Sequence, residues 1–387
     1  MKNFVTMHGM VVALIMATGL ISCTKTIKPE ARKPVPLVAL NAAQATLVPV
    51  VTAQLPQDKG LKRNKNVSDP TLVPAINGNQ LVAATPTGVV TSLLDGQIAW
   101  QTTLPETIVG GVGLASQAQI AVVTTRSGRV IALHSQTGEP LWETPLGTSV
   151  LAPAVVANDR LLLSANNGVI YGLDVRTGAV VWQFSTRQPG ISVRGTALPL
   201  RLDNDTALFG TADGRIHAIA SDSGTPLWTR LVGTGGAGVM RDVDARPLVV
   251  DNHLYVTSVS GNFAGFDMST GQPLFVVEDF ATNLGVAHMA GVLIGADSDG
   301  MLYGFDALTG KRLWQNNALR FRKPTTPVAI GRYVAVGDYD GVVHLLTVEG
   351  NIVGRTQIKG AITNLIAKDN RLYAQTQTGT VAVWQVQ

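Results

Sequence analysis

Few residues in this chain are able to do chemistry. Charged side chains make up 14% of its 387 residues, and the histidines number only six. His217 and His344 each stand three residues after a turn glycine, where Tyr171 and Tyr303 stand in comparable stretches. A place shared by His and Tyr reads as a repeated strand position, and no second histidine or carboxylate lies near either at metal-ligand spacing. Asp174, Asp267 and Asp306 fall four residues before Gly178, Gly271 and Gly310, and His134 falls in the same place before Gly138. An Asp so placed accepts the backbone N–H groups of its own turn, which explains the spacing without catalysis. There is no Gly-x-Ser-x-Gly, no phosphate-binding loop and no pair of acids with a supporting base. No catalytic residue, metal ligand or cofactor site is therefore expected.

The one reactive group with a clear use is Cys23, the only cysteine of the chain. It follows Lys2 and the apolar run 10–21, which is too short to span a bilayer but suits the core of a signal peptide. Leu20-Ile21-Ser22-Cys23 resembles a bacterial lipobox, in which the thiol is acylated and becomes the first mature residue. The expected organisation is a signal peptide over 1–22, a lipidated Cys23 with a flexible tether to residue 45, and a folded domain over 46–387. Thr24 follows the cysteine, where an Asp would resemble an inner-membrane retention signal, so export to the outer membrane is favoured. Prolines 29, 34 and 36 among Lys and Arg give the tether no periodicity; roughly 20 flexible residues span about 25 Å. With the signal removed the net charge is about +3, too mild and too scattered for a nucleic-acid partner.

The elements that carry these residues repeat. Residues 153–182 hold four short aliphatic runs parted by Asn-Asp-Arg, Asn-Asn-Gly and Thr-Gly, the pattern of antiparallel strands with tight hairpins. A residue-Gly turn recurs at Gly88, Gly128, Gly168, Gly214, Gly261, Gly300, Gly341 and Gly379, at spacings of 38 to 47 residues. A second landmark, Gly-x-x-x-Trp, follows at Trp142, Trp182, Trp228 and Trp314, with Trp100 in a variant and Phe275 as a smaller ring. Four strands per unit at a period near 40 predict an all-β fold, an eight-bladed β-propeller of four-stranded antiparallel blades. The large rings are expected to cover the edge of the next blade. The last unit stops without its outer strand, while residues 46–52 form a strand that belongs to no unit. The N-terminal strand is therefore expected to complete the last blade and close the ring.

The Asp-x-x-Thr-Gly-x-x-x-Trp repeats resemble those of the pyrroloquinoline-quinone propeller superfamily, which includes quinoprotein dehydrogenases and the BamB family of outer-membrane assembly lipoproteins. The lipobox, the length and the eight units resemble the BamB family. The quinoprotein alcohol dehydrogenases are larger and carry a vicinal cysteine pair that this chain cannot supply. Two segments add to the likeness: Ile191-Ser192-Val193-Arg194-Gly195 is similar to the family's Leu-Ser-Leu-Arg-Gly, and Arg241-Asp242-Val243-Asp244 to its Asp-Val-Asp.

The resemblance implies a non-catalytic scaffold lipoprotein of the outer-membrane β-barrel assembly (BAM) complex, anchored on the periplasmic face of the outer membrane. It would touch the periplasmic domains of a BamA-like barrel subunit through Ile191, Val193, Arg194, Asp242 and Asp244. Unfolded outer-membrane protein clients are further expected partners, met either at exposed blade edges, by strand addition, or on the top face. Read from spacing alone, both segments lie in the two longest units, and extra residues of a propeller go to loops on one rim. A blade-to-blade salt bridge that supports those loops accounts for the same charges. The other functional readings are a periplasmic quinone-dependent dehydrogenase and a carbohydrate-binding propeller, the latter needing an aromatic platform from a chain with 5% aromatic residues.

Cys23→Ser should block acylation and release the protein from membrane pellets. Persistence of the variant in the outer-membrane fraction of cells lacking any protein partner would contradict the lipobox reading.

Overall fold

The computed structural model describes residues 32–40, 44–58, 72–188, 198–235 and 240–387. Two compact units divide the chain, Met1–Lys33 and Pro34–Gln387. Cys23 and the signal peptide lie outside the described residues, and Arg32 and Lys33 carry no regular structure. All regular elements among the described residues are strands. Within Pro34–Gln387 they form eight four-stranded antiparallel sheets. Blades one to seven take consecutive strands within 75–103, 108–145, 155–185, 200–231, 248–277, 287–316 and 328–357.

The unit read from residues 153–182 becomes the strands Val155–Ala157, Arg160–Ser164, Val169–Asp174 and Val180–Ser185. Its middle strands are buried almost throughout, with Leu161, Leu162 and Leu163 all fully enclosed. Neighbouring blades cover both faces of such a strand, so it reads as a continuous apolar run and not as an alternation. Leu161, Leu163 and Tyr171 pack against Val122 and Val130 of blade two. Leu162 and Ile170 pack against Ala207, Phe209 and Ile219 of blade four. Outer strands alternate instead, as Pro140–Pro145 does, because one face meets water.

The outer-strand tryptophans tie each blade to the next. Trp100, Trp142, Trp182 and Trp314 donate their indole N–H groups to the carbonyls of Ser135, Val175, Ser221 and Val348, at 2.8–3.1 Å. Each partner carbonyl belongs to the following blade. The indole also lies against that blade's turn: a Cβ on Gly138 would come within 2.4 Å of Trp100, and one on Gly178 equally close to Trp142. Those glycines sit at φ +77° and +72°, so the turn needs them for its backbone as well as for the room. Trp and Gly of the repeat are thus two sides of one contact between blades, and burying such a ring contributes roughly 1.5–3 kcal/mol.

The turn aspartates behave as their spacing predicts. Asp174 Oδ1 accepts hydrogen bonds from the Arg176 and Thr177 amides and from the Thr177 hydroxyl. In Asp267 the Ser269 hydroxyl, then the Thr270 amide, hold the carboxyl down at about 2.

Leu47–Gln54 pairs antiparallel with Thr380–Val386, from Leu47 opposite Val386 to Gln54 opposite Thr380. It completes blade eight as the outermost strand, after Ile362–Lys368, Arg371–Thr376 and Thr380–Val386. Pro49 sits at an irregularity of this ladder, on an outer strand where one side is unpaired anyway. Blade eight then meets blade one. Tyr373, Val381 and Val383 pack with Leu81, Ala83 and Leu93. Gln375 donates to the Ala84 carbonyl at 2.8 Å, and Lys368 to that of Ile76 at 2.9 Å. Residues 34–40, part of the expected tether, run without regular structure and are hydrogen-bonded to the loop before blade seven and to its outer strand.

Deleting residues 45–52 should open the ring, expose the Thr380–Val386 edge and promote aggregation. A soluble monomer with an unchanged melting temperature would show that closure does not depend on this strand.

Candidate partner-binding surface

Ile191, Val193 and Arg194 lie outside the described residues; Asp242 and Asp244 are described. The latter two belong to the connection between Pro226–Leu231, the outer strand of blade four, and Leu248–Val250, the inner strand of blade five. This connection is stapled across the crevice between the blades. The Val243 amide donates to Thr211 of blade four at 3.2 Å, and the Asp242 carbonyl accepts from Val259 of blade five at 3.1 Å. The Ser258 hydroxyl holds the Arg241 carbonyl at 3.1 Å. Val243 is fully buried with Leu208, Leu254 and Val256, so an apolar plug fixes the loop between its two acids.

Asp242 has no accessible surface, and Asp244 is partly buried with both of its carboxylate oxygens enclosed. A side chain with no accessible surface supports a loop and does not meet a partner directly. Asp244 lines a cavity of about 320 Å³ with Arg246, Asp297, Lys323, Tyr339 and Gln377, contributed by the connections of blades five to eight. Leu198, which precedes the inner strand of blade four, lines the same cavity. The described ends of the two long connections, from blade three to four and from four to five, thus meet at one rim. Sequence spacing found the loops and paired them. It did not find Lys323 or Tyr339, which reach the cavity from two other connections and have no counterpart in the repeat.

The histidines are occupied within the fold. His217 is buried, with Nδ1 2.9 Å from the Thr229 hydroxyl and its ring edge-on to Phe184. Burial pushes its pKa down, against the pull of Asp213. His344 is fully buried between Asp338, 3.1 Å from Nε2, and Arg355, which donates to Nδ1 at 3.2 Å. Burial again keeps the imidazole neutral. With both ring nitrogens engaged, this Asp–His pair has no free base to activate a hydroxyl. The second carboxylate oxygen of Asp338 accepts the Asp340 and Val342 amides at 2.9 Å, and Arg322 donates to the first at 2.7 Å. These bonds, led by His344, bring Asp338 below the ordinary carboxylate range although burial pushes the other way. Sequence reading assigned His344 a structural strand position and missed the arginines around it; the signal was the basic run Arg320-Phe321-Arg322-Lys323 in the connection to blade seven.

A quinone held through a divalent cation does not fit these residues. No group of three His, Cys, Asp or Glu placed to hold an ion occurs among the described residues. The cavity at the rim sets two carboxylates against its two cations, a poor match for an anionic cofactor.

Known proteins place this architecture. The family model described as outer membrane protein assembly factor BamB matches residues 86–316 and 298–386. The outer membrane protein assembly factor BamB of Shewanella oneidensis is 29% identical over 279 residues, 70% of each chain. The crystal structure of BamB from Moraxella catarrhalis superposes with a TM-score of 0.81 at 44% identity, covering 88% of this chain and all of that one. A europium-containing methanol dehydrogenase shares the fold alone, at a TM-score of 0.63 and 16% identity over 80% of this chain and 81% of its own.

The burial of both carboxylates sets an expectation for the two acids. Asp242→Ala and Asp244→Ala should each lower the melting temperature, costing about 1–3 kcal/mol because each strips a buried polar group from its surroundings. An unchanged melting temperature by circular dichroism for either variant would contradict this.

Proposed function

The chain belongs to the BamB family of outer membrane protein assembly factors, and we propose that it is a lipid-anchored, non-catalytic scaffold of the outer-membrane β-barrel assembly complex. Acylated Cys23 would hold it to the outer membrane with the propeller in the periplasm. Its partner would be the BamA-like barrel subunit, met through the periplasmic domains. The observation that carries this reading is the rim where the two longest connections end, with partly buried Asp244 lining a cavity. A rigid ring supports that rim, and a scaffold needs loops fixed in space before a partner arrives, since ordering them on binding would cost affinity.

Within the proposed surface, Ile191, Val193 and Arg194 would touch the partner, and Asp242 and Asp244, with buried carboxylate oxygens, would hold the loop in shape. Arg194 suits a planar bidentate contact with a carboxylate. The outer strands offer a second surface for unfolded clients: among the described residues no further strand pairs with their outer edges, and Leu141, Leu227 and Leu313 are each about half exposed there. An extended client segment would add to such an edge through backbone hydrogen bonds.

Affinity capture from solubilised outer membranes tests the assignment. The lipidated protein should recover a large β-barrel subunit, and Arg194→Ala should weaken recovery with the melting temperature unchanged. A hot-spot side chain at the centre would account for roughly thirtyfold in affinity, or about 2 kcal/mol. Normal recovery by this variant would move the site elsewhere, and capture of no barrel subunit at all would overturn the scaffold role.

A further inference from the structure

Blade seven departs from the repeat in two ways that meet at the same place. Where blades one to six carry Trp or Phe on the outer strand, blade seven carries Gly354, opposite Leu345 in Val342–Leu346. A Cβ there would lie 2.5 Å from the Ala45 carbonyl, so the chain's own N-terminal segment occupies the room a ring would fill. The Gln44 amide donates to Val353 at 2.9 Å, and the Tyr333 hydroxyl to the Gln44 carbonyl at 3.2 Å.

The second departure is the cluster of buried Arg322, Asp338 and His344 with partly buried Arg355. Arg322 is 6% exposed and donates to both Asp338 and Asp340 at 2.7 Å. Its Nη1 donates to the Val35 carbonyl at 3.1 Å. The Val35 amide in turn donates to the Arg320 carbonyl at 3.0 Å. Arg355, positioned through His344, donates to the carbonyl of Val38. The segment therefore makes a backbone bond and two guanidinium bonds to the ring before it reaches Gln44. Both guanidinium bonds go to carbonyls of the segment, so the hold is on its backbone. A buried guanidinium costs much desolvation unless its donors find acceptors, and the Val35 carbonyl takes a nitrogen that neither aspartate engages.

We propose that residues 34–40 are a fixed strap on blade seven, so that the chain between the lipid anchor and the ring is only the ten residues 24–33. The strap rests on the lipid-anchored reading for its consequence, not for its existence. A random chain of ten residues spans about 17 Å on average, against about 26 Å for one of the 22 residues that separate Cys23 from residue 46. The strap thus holds the ring closer to the membrane and suspends it from the side of blade seven. A scaffold hung this way presents its rim loops within a narrower range of heights and tilts than a free tether allows.

Hydrogen exchange on the full-length acylated protein tests the strap. The Val35 amide should exchange at least tenfold more slowly than an unstructured amide, and Arg355→Gln should accelerate it tenfold or more with the melting temperature unchanged. Arg322→Gln should do the same; if it unfolds the ring, Arg355→Gln decides alone. Exchange of wild-type residues 34–40 at the unstructured rate, or indifference to Arg355→Gln, overturns the proposal.

The consequence is read separately, with a donor dye on Asp222→Cys and acceptor lipids in vesicles of phosphatidylethanolamine and phosphatidylglycerol. Cys23 is blocked by acylation, so the new thiol is the only one to label. Energy transfer should fall when Arg355→Gln is combined with Val35→Pro, which removes the amide donor. Unchanged transfer would rule out a strap that sets the height. Failure of the wild-type protein to bind vesicles would instead refute the lipid anchor, leaving the exchange result to judge the strap.

Discussion

The pairing of Leu47–Gln54 with Thr380–Val386 is the contact on which the rest of this ring depends. Each blade alone is a four-stranded sheet with two apolar faces, and it becomes stable only between two others. Seven of the eight blade interfaces can form as the chain is laid down in order. The eighth joins residues as much as 292 positions apart, through Gln375 to Ala84, Lys368 to Ile76 and the apolar contacts of Tyr373 with Leu81 and Leu93. Supplying the outer strand of blade eight from the N-terminus links that last interface to the start of the chain. Opening the ring therefore requires breaking a strand pairing as well as an apolar face, which is how a fold without described disulfides keeps its ends together.

The repeat was legible because it is imposed by one physical contact used many times. A ring such as Trp142 must find a surface without side chains, and Gly178 of the next blade provides it. Both residues therefore recur together, at the period of the blade. The turn aspartates were legible for the same reason, since Asp174 and Thr177 satisfy each other locally and need nothing distant. Closure was legible from an imbalance: a strand without a unit at one end and a unit without a strand at the other.

Burial inside an irregular loop was not legible. Asp242 and Asp244 stand two residues apart with the same chemistry, and both bury carboxylate oxygens in the loop. Val243 between them is drawn into the apolar interface of blades four and five and takes both neighbours in with it. No periodicity governs a connection of this kind, so spacing locates it without orienting its side chains. The grip of blade seven on residues 34–40 escaped for a related reason. Prolines and scattered basic residues give that segment no pattern of its own, and it is held by its backbone, which every sequence possesses. The information sat in the receiving surface, in Gly354, Arg322 and Arg355.

This suggests where in a repeated fold to look for use. Positions that obey the repeat, from Trp100 to Trp314, are consumed by the contact between one blade and the next and have little left to offer a partner. His344 illustrates the trap in reverse: an Asp–His–Arg chain looks like catalytic machinery, but every donor and acceptor of the imidazole is committed inside the fold. What departs from the repeat is what the ring interface did not demand. Blades four and five depart in the length of the connections that lead into them, and those connections end at a half-open rim beside Asp244. Blade seven departs by losing a ring and gaining two arginines, and it receives the segment that leads toward Cys23. One departure serves what the scaffold holds and the other serves how the scaffold is held, and both are supported by a ring regular enough to keep them fixed relative to each other.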